Sequence, residues 1–335
     1  MSSAHRLRLL LVVGLIAMAT SRTSGQTSDA SPFVRAFWLI QSRGTIDAAD
    51  PRNDQKTKGR LAKALGKDGV LSVSGVKELM DNSTFEKLAG SDLRLDPVEA
   101  EKALADAVPE SRKRLNPKIA AHAELLTTSF DLIDEPHRQA SEQFSDWILK
   151  NYKAGTPLHV TVICTGNSRR SILGSTMGNI AAAFYGMPEI RYHSGGTAPT
   201  AFNPRTIAAL EAIGVAVEPT GAEAPRGEPK TPNPVYKVRW GTSGDPALEA
   251  TEFSKTYFDG SNPQSGFAAL MVCGEADASC PLVKGASARI SAPYLDPKIY
   301  DGSAYEAVKY AERRDDIGRL MLSAMMRVRN QLNRP

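Results

Sequence analysis

Apolar residues between positions 157 and 335 form two alternating patterns. Short continuous runs, typical of buried strands, lie at 159–164, 190–193 and 267–272. Segments with helical spacing lie at 171–185, 203–214 and 301–332. In the last of these segments Ile317, Leu320, Met321 and Met325 share one face. Strands that alternate with helices predict an α/β fold, with a parallel sheet and helices on both of its sides.

The residues before 150 have a mainly helical pattern. Asp96-Pro97 and Asn116-Pro117 each place an N-cap residue before a proline at the first helical position, and a further helix is predicted over 135–151. Two shorter amphipathic candidates lie at 57–65 and 74–80. This stretch contains no catalytic motif, so residues 26–150 are predicted to form a mainly α-helical region of unknown role.

The first 25 residues have the three parts of a secretory signal peptide. A basic start at His5, Arg6 and Arg8 precedes an apolar run over 9–19 that ends in Ala17-Met18-Ala19. The run is too short to span a bilayer unaided, and no other run is longer. We therefore expect an exported protein, periplasmic or secreted, with no stable membrane span after cleavage. The alternative is an uncleaved start that associates with the membrane.

Composition narrows the function only slightly. The formal net charge is +4 and charged residues make up 23% of the chain, which is typical of an ordinary solvated surface. A basic run with interleaved aromatic residues is missing from the sequence, so nucleic acid is not an expected partner. The five histidines do not have metal-ligand spacing, and neither a metal nor an organic cofactor is predicted. Three cysteines leave an odd thiol, which is unusual for an exported protein.

The first cysteine lies in a loop between a predicted strand and a predicted helix. The loop reads Cys164-Thr165-Gly166-Asn167-Ser168-Arg169-Arg170-Ser171. Inward backbone N–H groups and the positive end of the helix form a cradle for a tetrahedral anion, to which Arg170 adds a planar fork of donors. The same field favours a thiolate at Cys164, and Ser171 can donate a hydrogen bond to it. Gly166 permits the tight turn, and Asn167 can brace the loop.

These features predict a cysteine nucleophile beside an oxyanion site formed by residues 165–170. The alternative is a buried structural cysteine beside solvated arginines. The loop resembles the Cys-x5-Arg-Ser phosphate loop of the low-molecular-weight protein tyrosine phosphatases and of the thioredoxin-coupled arsenate reductases that share their fold. Residues 192–197 and Phe202-Asn203-Pro204 are similar to the second strand of that family and the segment after it.

The resemblance covers residues 158–332, about half of the chain. It implies a three-layer α/β/α domain over 157–335 with a four-stranded parallel sheet. A proline- and glycine-rich stretch at 219–234 is predicted to be irregular, and it belongs to an insertion over 219–266 that could shape substrate access. The helical region 26–150 would precede this catalytic domain.

The other two cysteines, Cys273 and Cys280, follow the buried run at 267–272. Their spacing fits no common zinc pattern. A disulfide or two incidental thiols would also account for them. The Cys280-Pro281 ending is similar to the redox loop of the arsenate reductases. That likeness implies a relay: Cys164 attacks arsenate, Cys273 attacks the Cys164–arsenic adduct, and Cys280 resolves the resulting disulfide.

The resemblance also assigns a general acid. Tyr294-Leu295-Asp296-Pro297 matches the late Asp-Pro pair that protonates the leaving group in this family, which makes Asp296 the candidate and Asp301 a weaker one. The chain departs from many family members at Arg169, where they carry a second cysteine. The extra guanidinium could bind the anion, face solvent or meet the acidic N-terminal half.

Three functions remain open from the sequence. The first is arsenate reduction with a thioredoxin-like dithiol donor, which outside the cytoplasm would need an exported reductant. The second is phosphomonoester hydrolysis, with phosphotyrosine as the expected substrate, through a phosphocysteine at Cys164. The third is oxyanion binding without turnover. The cradle itself does not distinguish arsenate from phosphate, because the two anions have nearly the same charge and shape.

Overall fold

A computed structural model describes residues 108–332, apart from 229, 243, 280 and 281, together with shorter stretches between 70 and 102. The predicted signal peptide, the helix candidate at 57–65, most of the candidate at 74–80 and Cys280 lie outside the described residues. At the start of the helix predicted after Asp96-Pro97, the Asp96 side chain accepts hydrogen bonds from the N–H groups of Val98 and Glu99 at 2.7 and 2.8 Å. This is the bonding of an N-cap.

The described part of the chain contains strands in three sheets. The strands are β1 (Leu71–Ser72), β2 (Arg94–Leu95), β3 (Leu158–Cys164), β4 (Ile190–Gly196), β5 (Ala216–Glu223), β6 (Pro234–Arg239), β7 (Glu249–Glu252), β8 (Phe267–Met271) and β9 (Ala286–Ser291). The α-helices are α1 (Glu110–Lys113), α2 (Pro117–Thr127), α3 (Glu135–Asn151), α4 (Arg170–Phe184), α5 (Pro204–Glu211), α6 (Gly274–Ser279) and α7 (Glu306–Leu332). Short 3-10 helices lie at Gly90–Asp92, Phe130–Leu132, Pro246–Leu248 and Pro297–Tyr300.

The central sheet confirms the predicted α/β class. Its strand order is β4-β3-β8-β9, and all three pairings are parallel. The middle strands β3 and β8 are buried over nearly their whole length, as expected for parallel strands covered on both faces. Strand β9 was not predicted from the sequence, because it contains small and polar residues without a continuous apolar run.

Helix α4 lies directly against the sheet because two glycines allow the close approach. A Cβ atom at Gly174 would lie 2.7 Å from Val162, and one at Gly178 would lie 2.3 Å from the ring of Tyr192. Helix α7 packs against α2, α3 and α4. Its predicted apolar face is buried throughout. The helices at 110–151 thus share a hydrophobic core with the sheet domain.

The segment 219–234 is more regular than the sequence predicted. Strands β5, β6 and β7 form an antiparallel sheet, and within 219–234 the described residues without regular structure are 224–228 and 230–233. Pro219 is tolerated because β5 is an edge strand, where a missing N–H breaks little of the ladder. Val217, Val238 and Trp240 are buried and anchor this sheet to the body of the protein.

The insertion also covers part of the open edge of β4. Gly196 N–H donates to the carbonyl of Lys255 at 2.9 Å, and Tyr257 N–H donates to the carbonyl of Gly196 at 3.0 Å. These bonds extend the pairing beyond β4, the edge strand, at the carboxyl end of the sheet. Such cover removes exposed backbone donors and acceptors from the edge. None of the helices in the described ranges combines the length and apolarity needed to cross a membrane.

A histidine pair on the central sheet predicts loss of stability in acid. His159 and His193 lie on neighbouring strands, with ring nitrogens 3.0 Å apart. Burial, followed by the positive charges of His159, Lys255 and Arg191, lowers the pKa of His193 from 6.5 to about 3. Because the unfolded chain takes up this proton more readily, stability is complete above pH 6.5 and falls as the pH drops towards 3.

For His193 alone, the free energy of unfolding should be about 2 kcal/mol lower at pH 5 than at pH 7. Denaturant unfolding of wild type and His193→Gln at both pH values measures this difference. The pH dependence of the variant between 7 and 5 should be smaller than that of wild type by about 2 kcal/mol. An equal slope in both proteins would show that His193 does not carry it.

Candidate functional site

The Cys164 loop lies at the carboxyl end of the central sheet, as the sequence predicted. Strand β3 ends at Cys164 and helix α4 begins at Arg170. Cys164 is buried, and its Sγ lies 3.1 Å from Ser171 Oγ in the first turn of α4. The loop leaves no room for a side chain at Gly196 on β4, where a Cβ would lie 2.6 Å from the Thr165 carbonyl oxygen.

Asn167 braces the loop from inside the protein. Its backbone has a φ of 41°, in the left-handed region that asparagine adopts more readily than most residues. Its Nδ2 donates to Ser171 Oγ at 2.9 Å and to Ser194 Oγ at 2.8 Å. Its Oδ1 accepts from the Lys255 N–H at 2.8 Å. The side chain is fully buried, so its role is to hold the loop rather than to contact an anion.

Arg170 joins the loop to the candidate general acid. Its Nη1 donates to the Tyr294 carbonyl at 2.9 Å, and its Nη2 donates to Asp296 Oδ2 at 2.7 Å. Its Nε is buried and has no hydrogen-bond partner among the described residues. The guanidinium is therefore fixed in orientation while it lines the cavity next to Cys164. Asp296 also caps the 3-10 helix that follows it, by accepting from the Lys298 N–H.

Arg169 points towards acidic residues in the C-terminal part of the chain. Its Nε donates to Tyr310 Oη at 2.9 Å, and its guanidinium lies 3.7 Å from Asp301 and 3.9 Å from Asp296. It also lines the cavity. Arg169 therefore lies at the cavity over the Cys164 loop, with acidic partners beside it. The acidic partners lie after residue 290, not in the N-terminal half.

Asp301 supports Arg169 through Tyr310. Tyr310 Oη donates to Asp301 Oδ1 at 2.8 Å. Burial, followed by this hydrogen bond, raises the pKa of Tyr310 to about 12, so the phenol stays protonated at neutral pH. Asp301 is thus occupied by Tyr310, Arg169 and, at 3.6 Å, Arg205. Asp296, unlike Asp301, lines the cavity.

The second cysteine lies beside the Cys164 loop. The Val272 N–H donates to the Ile163 carbonyl at 2.9 Å, which brings the ends of β8 and β3 together. Cys273 follows directly, and its Sγ lies 3.4 Å from Thr165 Oγ1. Both Cys164 and Cys273 are buried free thiols. Cys280, the third member of the predicted relay, is outside the described residues.

A cavity of about 770 Å³ opens over the loop, within the range of small-molecule sites. Its lining comes from the loop, from the segment after β4, from the insertion, from α6 and from the segment around Asp296. The lining residues are Cys164, Thr165, Gly166, Ser168, Arg169, Arg170, Ala198, Thr200, Ala201, Phe202, Asn203, Pro204, Glu228, Thr231, Glu275, Asp296, Lys298 and Ile299. The insertion contributes Glu228 and Thr231 to this lining.

Neither a protein-family model nor a curated protein matches this chain. The functional argument therefore depends on the residues of the site and on their geometry. Within the described ranges, no cluster of three or more His, Cys, Asp or Glu side chains could hold a metal ion.

Several residues of the site were not predicted from the sequence. Ser194 lies within the strand segment used for the family resemblance, but nothing in that segment indicated its bond to Asn167. Glu252 and Lys255 lie in the insertion, which carries no local chemical motif. Only the folded chain brings the Lys255 N–H to Asn167 and the Glu252 carboxylate to Ser194, so sequence spacing gave no signal for them.

Proposed function

We propose that this protein is an arsenate reductase that uses a thiol relay on an oxyanion held by the Cys164 loop. The observation that carries the proposal is the position of Cys273, whose Sγ lies 3.4 Å from Thr165 Oγ1 in the loop itself. A hydrolase of this chemistry needs one cysteine. A reductase needs a second thiol within reach of the first, and two free buried thiols are present here.

In the first proposed step, the Cys164 thiolate attacks arsenic and water leaves. Donors from the loop backbone and Arg170 stabilise the charge on the anion. Asp296 lines the same cavity and is the proposed source of the proton for the departing oxygen. Arsenic is still pentavalent at this stage and is bound to Cys164 sulfur.

In the second proposed step, the Cys273 thiolate attacks Cys164 sulfur. A sulfur–sulfur bond forms, the sulfur–arsenic bond breaks, and its electron pair stays on arsenic as arsenite leaves. Two thiols are oxidised while arsenic gains two electrons. Cys280 then attacks Cys273 and frees Cys164, and a thioredoxin-like dithiol reduces the Cys273–Cys280 disulfide. For an exported protein, the dithiol donor must be exported too.

Phosphomonoester hydrolysis is the second candidate, and the size of the cavity favours it. A volume of about 770 Å³ leaves room beside the anion cradle for an organic leaving group. Asp296 would protonate that leaving group and later activate water to hydrolyse a Cys164 phosphocysteine. In both candidates the catalytic domain would have the three-layer arrangement of the low-molecular-weight phosphatases.

A paired assay on the purified protein tests the proposal. One arm follows arsenate-dependent NADPH oxidation through thioredoxin and its reductase, and the other follows hydrolysis of 4-nitrophenyl phosphate, with Cys164→Ser as the blank in both. Arsenate-dependent oxidation supports the reductase. Hydrolysis without that oxidation supports the phosphatase. A protein with no turnover in either arm, in which bound arsenate protects Cys164 against alkylation, would be an oxyanion-binding protein.

A further inference from the structure

The segment just after β7 is bonded directly to the nucleophile loop. Ser254 Oγ donates to the Gly166 carbonyl at 3.0 Å, and the Lys255 N–H donates to Asn167 Oδ1 at 2.8 Å. This segment belongs to the insertion, far from the loop in sequence. The segment therefore holds the Cys164 loop by hydrogen bonds and also covers the edge of β4.

A buried ion pair lies within this segment. Lys255 Nζ is 2.8 Å from Glu252 Oε1, and the two side chains are 5% and 8% exposed. The charge of Lys255 also acts on His193 of the central sheet, as do the charges of His159 and Arg191. Burial of such a pair carries a desolvation cost that ion pairing alone often fails to offset. A role in the geometry of the site would account for its presence.

The pair sets the direction of a hydrogen-bond chain. Ser194 Oγ lies 2.6 Å from Glu252 Oε1. A carboxylate paired with a lysine only accepts hydrogen bonds, so the hydroxyl proton of Ser194 points to Glu252. Ser194 Oγ must then act as the acceptor for Asn167 Nδ2, at 2.8 Å.

The orientation of the Asn167 amide is fixed by the same segment. Its Oδ1 accepts from the Lys255 N–H, so the NH2 group faces the two serines. One N–H goes to Ser194 and the other goes to Ser171 Oγ at 2.9 Å. Because Ser171 accepts that bond, its own proton is directed to Cys164 Sγ, 3.1 Å away.

We propose that Glu252 and Lys255 are positioning residues for the nucleophile, which orient the Ser171 hydroxyl towards Cys164 through Ser194 and Asn167. The chain favours the thiolate because its last bond is donated to sulfur. The inference rests on one part of the proposed function, namely that Cys164 is the nucleophile. Reactivity of the thiol tests it without any substrate, so its failure is distinct from failure of arsenate reduction.

The test is the pH dependence of Cys164 alkylation by iodoacetamide in the full-length protein, quantified on the Cys164 peptide by mass spectrometry. Glu252→Leu/Lys255→Met removes both charges and the acceptor for Ser194 while keeping similar volume. We expect the midpoint of the alkylation curve to rise by about one pH unit, the size of one lost hydrogen bond to a charged group. Glu252→Gln/Lys255→Met restores an acceptor and should return the midpoint by at least half of that shift.

The matched control is Lys237→Met/Glu249→Leu, which removes an ion pair of 3.1 Å between β6 and β7 that has no bond to the loop. Its midpoint should equal that of wild type. If Glu252→Leu/Lys255→Met folds with a wild-type near-UV spectrum and its midpoint does not move, the proposal is wrong. If that variant does not fold, Ser194→Ala decides: it should raise the midpoint similarly, and an unchanged midpoint would overturn the proposal.

Discussion

Cys273→Ser is expected to lose arsenate-dependent reductant consumption by at least about 1,000-fold, because serine cannot attack the sulfur of the Cys164 adduct. Serine is close to cysteine in size and retains a polar contact to Thr165. The loop, Arg170 and Asp296 should keep their places. Hydrolysis of 4-nitrophenyl phosphate, which requires only Cys164, should therefore change by less than about twofold.

Measurement of both activities on one preparation separates the two roles of the site. Wild type and Cys164→Ser supply the upper limit and the blank. A Cys273→Ser protein that still reduces arsenate at the wild-type rate would exclude Cys273 from the relay. Equal loss of both activities would show that the substitution damages the loop, and would leave no support for a separate role in reduction.

Arg170→Lys is expected to lower kcat by about 100- to 1,000-fold for whichever substrate is turned over. Lysine keeps the charge but is a point donor, whereas Arg170 donates at once to the Tyr294 carbonyl and to Asp296 and still faces the cavity. The substitution removes the planar fork and the bond that holds Asp296. KM for the anion should rise as well, because the cradle loses part of its binding geometry.

Arg205→Lys is the matched control for this substitution. Arg205 pairs with Glu306 and Asp301 but does not line the cavity. Its replacement should change kcat by less than about twofold. Steady-state kinetics of the three proteins, with unfolding midpoints to check stability, make the comparison. Full activity in Arg170→Lys would contradict the role given to the guanidinium.

The fold was largely predictable because its central strands are continuous apolar runs and its helices begin at recognisable caps. The helix predicted over 135–151 matches α3, and Asn116-Pro117 and Asn203-Pro204 open α2 and α5 as expected. Strand β9 and the antiparallel sheet of the insertion were missed. Their residues are short, polar or interrupted by proline, and they are held by partners distant in sequence.

The sequence predicted the site residues that are close together in the chain. It did not predict those that only folding brings together. Cys164, Arg170 and Ser171 are within one strand–loop–helix unit, so their spacing in the sequence determines their relative positions. Glu252 and Lys255 reach the loop only through the fold of the insertion. Arg169 illustrates the same limit, because the sequence could not show that its partners are Asp301 and Tyr310.

The central claim is that the Cys164 and Cys273 thiols together supply the two electrons that reduce one bound arsenate. The most direct measurement is a single turnover of arsenate by the Cys280→Ser variant without external reductant, followed by peptide mapping and arsenite quantification. The account predicts one Cys164–Cys273 disulfide and one arsenite for each protein molecule. Free thiols at both positions, with no arsenite, would contradict it.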